Sequence, residues 1–203
     1  MADYEVIILD DGSRDGTVAV MEAIRSRHES VVRTLCHERN RGIAATFEEL
    51  YRAASKEIVL LIPADGQYPP EALEQALPLL ATHDIVVFNR THKTYTAVRM
   101  LVSRAYRWLP RLLFGTELYD PGSCKCIRRA LIDEITVTSS GVFVEAERVI
   151  RALRRGCRVG CVDVVQAERQ AGHALGANPR VVVTALRDLA RLWWSLVVLR
   201  QAP

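Results

Sequence analysis

The sequence predicts an α/β protein: a mostly parallel sheet with helices on both faces, followed by a C-terminal helical tail. Three observations predict it. Short apolar runs alternate four times with helix-like stretches over residues 4–90. The runs are apolar on both faces, as strands covered by helices on two sides must be. Each of the first three ends in polar residues, at the sheet edge where an open parallel sheet collects its ligands.

The elements follow in order. "YEVIILDD" (4–11) is the first strand, and "GSRDGT" (12–17) is a turn punctuated by Gly12 and Gly16. A helix from about Thr17 to Arg27 places Val18, Met21 and Ile24 on one face. "VVRTLCHE" (31–38) and "NRGIAATFEELYRAAS" (40–55) are the second strand and helix. "EIVLLIPAD" (57–65) is the third strand, and "PPEALEQALPLLA" (69–81) is a helix that opens on proline, whose missing N–H costs nothing in a first turn. "DIVVFNR" (84–90) is the fourth strand. Beyond it, residues 96–115 read as a basic amphipathic helix broken at Pro110, and "TELYDPGSCKCIRRALIDEI" (116–135) as irregular. "VEAERVIRALRRG" (144–156) is a helix stopped by Gly156, "CRVGCVDVV" (157–165) a strand, and Glu168 to Pro179 a polar loop. A terminal helix from about Arg180 to Arg200 carries paired tryptophans. With no internal repeat and no linker, residues 1–179 form one domain and 180–203 an appended amphipathic helix.

Composition bounds the function. The chain has 203 residues, 49% hydrophobic and 25% charged, which excludes a disordered or fibrous protein. A net charge of +3 is too small to imply nucleic acid, although the stretch from Arg90 to Arg129 is locally basic and favours an anionic partner. Five cysteines, an odd number, point to reduced thiols and a cytoplasmic setting. Neither Cys124 and Cys126 nor Cys157 and Cys161 has the spacing of a zinc ribbon. The most apolar run, "LARLWWSLVVL" (189–199), is shorter than the ~18 residues a membrane span requires.

The chemistry concentrates at the strand ends: Asp10 and Asp11, then Asn40 and Gly42, then Asp65 and Gln67. Taken singly, each has a plainer explanation, with Ser13 or Asp15 capping a helix and Asp65 and Gln67 capping the helix that starts near Pro69. Taken together, in a parallel sheet, they meet in one crevice. "ILDDGSRDGT" (8–17), "NRGIAA" (40–45) and "PADGQYPPE" (63–71), in this order, resemble family 2 glycosyltransferases of the GT-A fold. The likeness is to the branch of dolichol-phosphate mannose synthase and other polyprenyl-phosphate sugar transferases. It continues through "LYDPGSCKCIRRALI" (118–132), "EAERVIRALRRGCRV" (145–159) and "ERQAGHA" (168–174), and so covers nearly the whole chain.

The resemblance implies a nucleoside-diphosphate sugar, GDP- or UDP-linked, with Asp10 and Asp11 against its base and ribose and the Asn40–Gly42 loop beneath it. It implies Mg²⁺ or Mn²⁺ held by Asp65 and Gln67, and inverting transfer onto polyprenyl phosphate. Two departures stand out. Pro63 occupies the place of the first aspartate of the family's D-x-D, and the usual first strand with its P-x-Y-N-E-like loop before "DDGS" is not found. A phosphate acceptor is already an anion and needs cations rather than a base, with Arg90, Lys93, Arg99, Arg104 and Arg169 available. A hydroxyl acceptor needs a carboxylate: Asp120, Glu145 or Glu147, of which Glu147 matches the family's acid best. Ala174 replaces the serine of the family's arginine loop, and His173 is the one histidine placed to meet phosphate. The terminal helix suits a membrane interface, so the expected location is peripheral, at the cytoplasmic face of the membrane, with self-association into a homo-oligomer left open. The rival readings are transfer to a saccharide or protein hydroxyl, and a non-catalytic nucleotide-sugar-binding remnant.

Overall fold

The computed structural model describes residues 3–91, 97–116, 118–167 and 178–202. Val6–Asp10 (β1) and Val32–Cys36 (β2), joined by Thr17–Arg27 (α1), pair in parallel with Val6 opposite Val32 and Asp10 opposite Cys36. Ile43–Ala53 (α2) then leads into Ile58–Leu61 (β3), Ala72–Leu79 (α3) and Ile85–Arg90 (β4). Ala97–Phe114 (α4) crosses to Lys125–Arg128 (β5) and Arg129–Glu134 (α5), and Val144–Arg154 (α6) leads to Val159–Val164 (β6). Pro179–Trp193 (α7) ends in a π-helical turn, Trp194–Val198.

The strands divide into two sheets, β1-β2 and β3-β5-β4-β6. β4 and β6 are parallel, with Ile85 opposite Val159, whereas β5 lies antiparallel between β3 and β4. The parallel-rich α/β architecture is thus as the apolar runs predict, with one insertion. The region expected to be irregular contains β5 and α5, hidden because Lys125 interrupts the apolar pattern. That lysine is fully buried, for a reason given below.

β4 is the spine of the second sheet. Its Ile85, Val86 and Phe88 are fully buried and Val87 almost so, each side chain contributing roughly 1.5–3 kcal/mol of hydrophobic stabilisation. The period of two splits them. Val86 and Phe88 join Ala72, Ala76 and Leu80 of the α3 layer, while Ile85 and Val87 join Tyr51, Leu61 and Ile132 on the opposite face. A third cluster, with Phe143, Val149 and Ile150, takes in Leu189 and Leu192 of α7 and Leu196 of the π turn. Leu189, Leu192 and Leu196, in the segment expected as an appended helix, are thus buried in this cluster. The paired tryptophans divide, Trp193 resting on this cluster and Trp194 being 55% exposed.

Two further local expectations change. α4 runs unbroken through Pro110, which is buried near the helix end. In α1 only Met21 of the proposed apolar face is buried, with Val18 and Ile24 more than a third exposed. Among the described residues no helix is long and apolar enough to cross a membrane.

Candidate active site at the strand ends

Asp10 folds the turn that follows β1. Its Oδ2 accepts from the backbone N–H of Gly12 (3.1 Å) and Ser13 (2.8 Å), and its Oδ1 from the Ser13 hydroxyl. Asp11 reaches across to the next strand end. It accepts from the N–H of Arg41 at 2.8 Å and of Gly42 at 2.9 Å, and lies 2.6 Å from His37 Nδ1. Burial pushes the Asp11 carboxyl up, but the bonds from Arg41, His37 and Gly42 outweigh it and hold the group below the ordinary aspartate value. Gly12 closes this knot. Its φ is +79°, and a Cβ there would stand 2.6 Å from the backbone of Arg39 and Asn40, so only glycine fits. The "DDGS" and "NRG" stretches thus become one hydrogen-bonded unit, in which Asp10 is buried and Asn40 exposed.

Beside the knot, beginning at Ile43, opens a cavity of about 1000 Å³. Its lining mixes polar side chains, including Asp65, Gln67, Asn89, Arg90, Asp120 and Glu145, with apolar ones, including Met100, Leu109, Val182, Leu186 and Leu189. Asp65 Oδ1 accepts from Gln67 N–H at 3.1 Å across Gly66, whose φ is +72°. This small turn sets a carboxylate and an amide on the same wall as Pro63. Among the described residues no group of three or more His, Cys, Asp or Glu side chains could enclose a metal ion. One carboxylate and one amide oxygen do fit Mg²⁺ or Mn²⁺ in its usual role beside phosphates, where the protein gives one or two ligands and phosphate and water give the rest.

The carboxylates considered as bases are engaged. Asp120, buried, takes a bidentate pair from Arg90, Nε to Oδ2 at 2.6 Å and Nη2 to Oδ1 at 2.9 Å. Glu147 does not line the cavity. Its carboxylate accepts from the N–H and hydroxyl groups of Thr138 and Ser139 and from Arg151 Nε, pinning the loop before α6. Glu147, the better match to the family's acid, is thus turned away from this cavity, since residues two apart on a helix point some 200° apart. Glu145 lines it. Its Oε2 accepts from buried Lys125 Nζ at 2.7 Å and from Tyr51 hydroxyl at 3.0 Å, and Arg148 Nε lies 3.7 Å from Oε1. Burial would raise the Glu145 carboxyl, but Lys125 and Arg148 prevail and lower it. Lys125 explains the break in the apolar pattern of β5, and a charged residue between two cysteines in an otherwise apolar run was the signal for it.

Of the proposed cations, Arg90 and Arg104 line the cavity. Arg99 lies on α4, while Lys93, Arg169, His173 and Ala174 fall outside the described residues. His37, which belongs to no recognisable ligand spacing, sits at the centre of the knot.

The model of "Glycosyl transferase family 2" matches residues 1–136. An undecaprenyl-phosphate 4-deoxy-4-formamido-L-arabinose transferase of Pseudomonas fluorescens is 28% identical over 97% of this chain, which spans only 61% of that protein's length. An undecaprenyl-phosphate mannosyltransferase of Micrococcus luteus is 26% identical, with 95% of this chain and 85% of that protein covered. Among solved structures, glucosyl-3-phosphoglycerate synthase from Mycobacterium tuberculosis, in complex with Mn²⁺, UDP and glucosyl-3-phosphoglycerate, superposes with a TM-score of 0.69 at 21% identity, over 93% of this chain and 68% of that one. The structural likeness shows the GT-A fold, and the match over residues 1–136 shows the lineage: the chain belongs to glycosyl transferase family 2.

Proposed function

We propose that this chain transfers a sugar, with inversion, from a nucleoside-diphosphate sugar to a polyprenyl phosphate, assisted by a divalent cation. The observation that carries the reading is the mixed lining of the cavity. Arg104 and Arg107 of α4 supply cations, and Met100, Leu109, Val182, Leu186 and Leu189 supply apolar surface, so an acceptor with an anionic head and an aliphatic chain matches both. The names of the Pseudomonas and Micrococcus relatives, both undecaprenyl-phosphate transferases, support the same acceptor class.

The engaged carboxylates favour it too. Glu145 is held by Lys125 and Tyr51, Asp120 by Arg90 and Glu147 by its loop, so none is poised to take a proton from a hydroxyl. A phosphate monoester oxygen is ionised near neutral pH and attacks without that help. The knot of Asp10, Asp11 and Gly42 supports the nucleoside end of the donor, and Asp65 and Gln67 stand where they would hold the cation. Bound there, the cation would supply charge neutralisation for the departing nucleoside diphosphate. Pro63 offers no ligand, which leaves a larger share of the coordination to phosphate oxygens. The exposed stripe of α4 at the rim of the cavity, with Trp108 63% and Leu112 81% exposed among Arg104, Arg107 and Arg111, suits a peripheral seat on a membrane surface, which for this acceptor we assign to the cytoplasmic face.

The test is transfer itself. With undecaprenyl phosphate in detergent, Mn²⁺ and a panel of UDP- and GDP-sugars, a lipid-linked sugar is the expected product. Asp65→Ala should abolish it, and unchanged turnover in that variant would overturn the metal role. Pro63 favours one second reading, a nucleotide-sugar-binding protein without turnover. Calorimetric binding of UDP or GDP with Mn²⁺, in the absence of any product, would select it.

A further inference from the structure

We propose that His37 is a positioning residue that works as a cation, clamping Asp11 and the 39–42 loop to α2 and so fixing the nucleoside end of the cleft. The proposal rests on the nucleotide-sugar reading for its ligand, but its geometry stands independently. His37 is 8% exposed, and both ring nitrogens face carboxylates. Nδ1 is 2.6 Å from Asp11 Oδ1, on the turn after β1, and Nε2 is 3.0 Å from Glu49 Oε2, on α2. The third charged group against the ring is Arg41, whose Nη1 lies 3.4 Å from Nε2 and 2.8 Å from Glu49. The backbone N–H of His37 donates to the Asp10 carbonyl at 2.9 Å, continuing the β1-β2 pairing by one residue.

A neutral imidazole carries one N–H, and so can satisfy only one of these carboxylates while turning a lone pair on the other. The imidazolium donates to both. The bonds to Asp11 and then to Glu49 raise the affinity of His37 for its proton above the ordinary value of 6.5, against burial and Arg41, which lower it. The sign follows. A raised value means the clamp is complete below about pH 6.5 and is lost as pH rises through the higher value of the folded protein. Asp11 would then be held by the Arg41 and Gly42 amides alone. Because Gly12 packs on the backbone of Arg39 and Asn40, a looser Asp11 frees both loops together.

The experiment uses the full chain and UDP with Mg²⁺, measured by calorimetry between about pH 6.5 and about pH 8.5, a window that spans an ordinary or modestly raised histidine titration. His37→Gln is expected to bind about tenfold more weakly than wild type at the acid end, the scale of one charge-assisted hydrogen bond. The two proteins should converge at the alkaline end, and the difference between their profiles cancels the ionisation of UDP itself. Glu49→Gln, away from the cleft, should lower the His37 titration midpoint read by NMR and shift the wild-type profile towards acid. Parallel profiles for wild type and His37→Gln, or a His37 midpoint at or below 6.5, would overturn the proposal. Should neither UDP nor GDP bind the wild type, the nucleotide reading fails. The clamp is then judged by the NMR midpoint and by hydrogen exchange at the Arg41 and Gly42 amides, which must accelerate with His37 deprotonation beyond the ordinary rise with pH seen at exposed amides.

Discussion

The two sheets are made from strands of similar apolar composition, yet they meet very different surroundings. In β4, Ile85, Val86 and Phe88 are fully buried, and hydrophobic clusters cover both faces. In β1, Val6 is 43% exposed, Ile7, Ile8 and Leu9 are half-buried, and the one fully covered side chain is the carboxylate of Asp10. β1 and β3 form no backbone pairs with each other among the described residues. The second sheet is held by packing. The first is held by hydrogen bonds at its ends: the Asp10, Asp11 and His37 knot at one and Glu5 at the other. Stability and binding geometry are thus assigned to different halves, and substitutions in each should fail in different ways.

The sharpest contrast comes from Lys125→Ala. It strands Glu145 in the interior beside Tyr51, and removal of one partner from a buried ion pair costs roughly 3–5 kcal/mol. Urea unfolding should register the whole loss. The pH dependence changes with it. Glu145 is held below its ordinary value of 4.5 in the folded protein, so its contribution is present above that value and disappears as pH falls through the lower folded one. Without Lys125 that acid-side dependence should shrink or invert, because burial then dominates. A loss under 1 kcal/mol would mean that Lys125 and Glu145 are not paired in the interior as described.

This division also explains what could be read from the sequence. Strands such as 85–88 were legible because burial on two faces demands continuous apolar runs, and the strand-end motifs because a turn at positive φ demands glycine at position 12. β5 was not, since Lys125 is paid for by Glu145, 20 residues further along, and only the folded chain puts them together. The same holds for His37, whose two carboxylates lie 26 and 12 residues away. In one dimension Glu147 is the better match to the family's acid, with Glu145 two residues before it. Helical phase separates them, sending one to the cavity and the other to the loop at Thr138 and Ser139.

Gly12→Ala tests the first sheet in kind rather than in amount. A Cβ would meet the backbone of Arg39 and Asn40, which cannot swing aside as a flexible side chain would, and φ of +79° is itself unfavourable for alanine. The expected cost is about 1–3 kcal/mol, smaller than that of Lys125→Ala. The consequence for ligand is larger, since relief of the clash must push the 39–42 loop off Asp11. Calorimetry with UDP and a thermal melt on the same sample separate the two effects. Binding should be lost by more than the melting temperature suggests, and a parallel decline in both would dissolve the distinction between the halves.

The smallest effect asks whether the two halves unfold as one. Glu5, just before β1, accepts from the Ser55 N–H at 2.6 Å and hydroxyl at 2.7 Å, three residues before β3 begins at Ile58, and from Arg33 Nη2 at 2.9 Å. Burial raises the Glu5 carboxyl, but the bonds from Ser55 and Arg33 lower it further, so its contribution is present above the ordinary value of 4.5 and fades as pH falls through the folded one. Glu5→Gln keeps an acceptor for Ser55 and gives up the charge, an expected loss of about 1 kcal/mol at neutral pH. Native-state hydrogen exchange then reads where the loss falls. If β1-β2 opens as a separate unit, the amides of Val6–Asp10 and Val32–Cys36 lose protection while those of Ile85–Arg90 keep theirs. Equal loss across both sheets would mean that the covering helix α2, which touches β1 and β3 alike, couples them into one cooperative body despite the missing pairing.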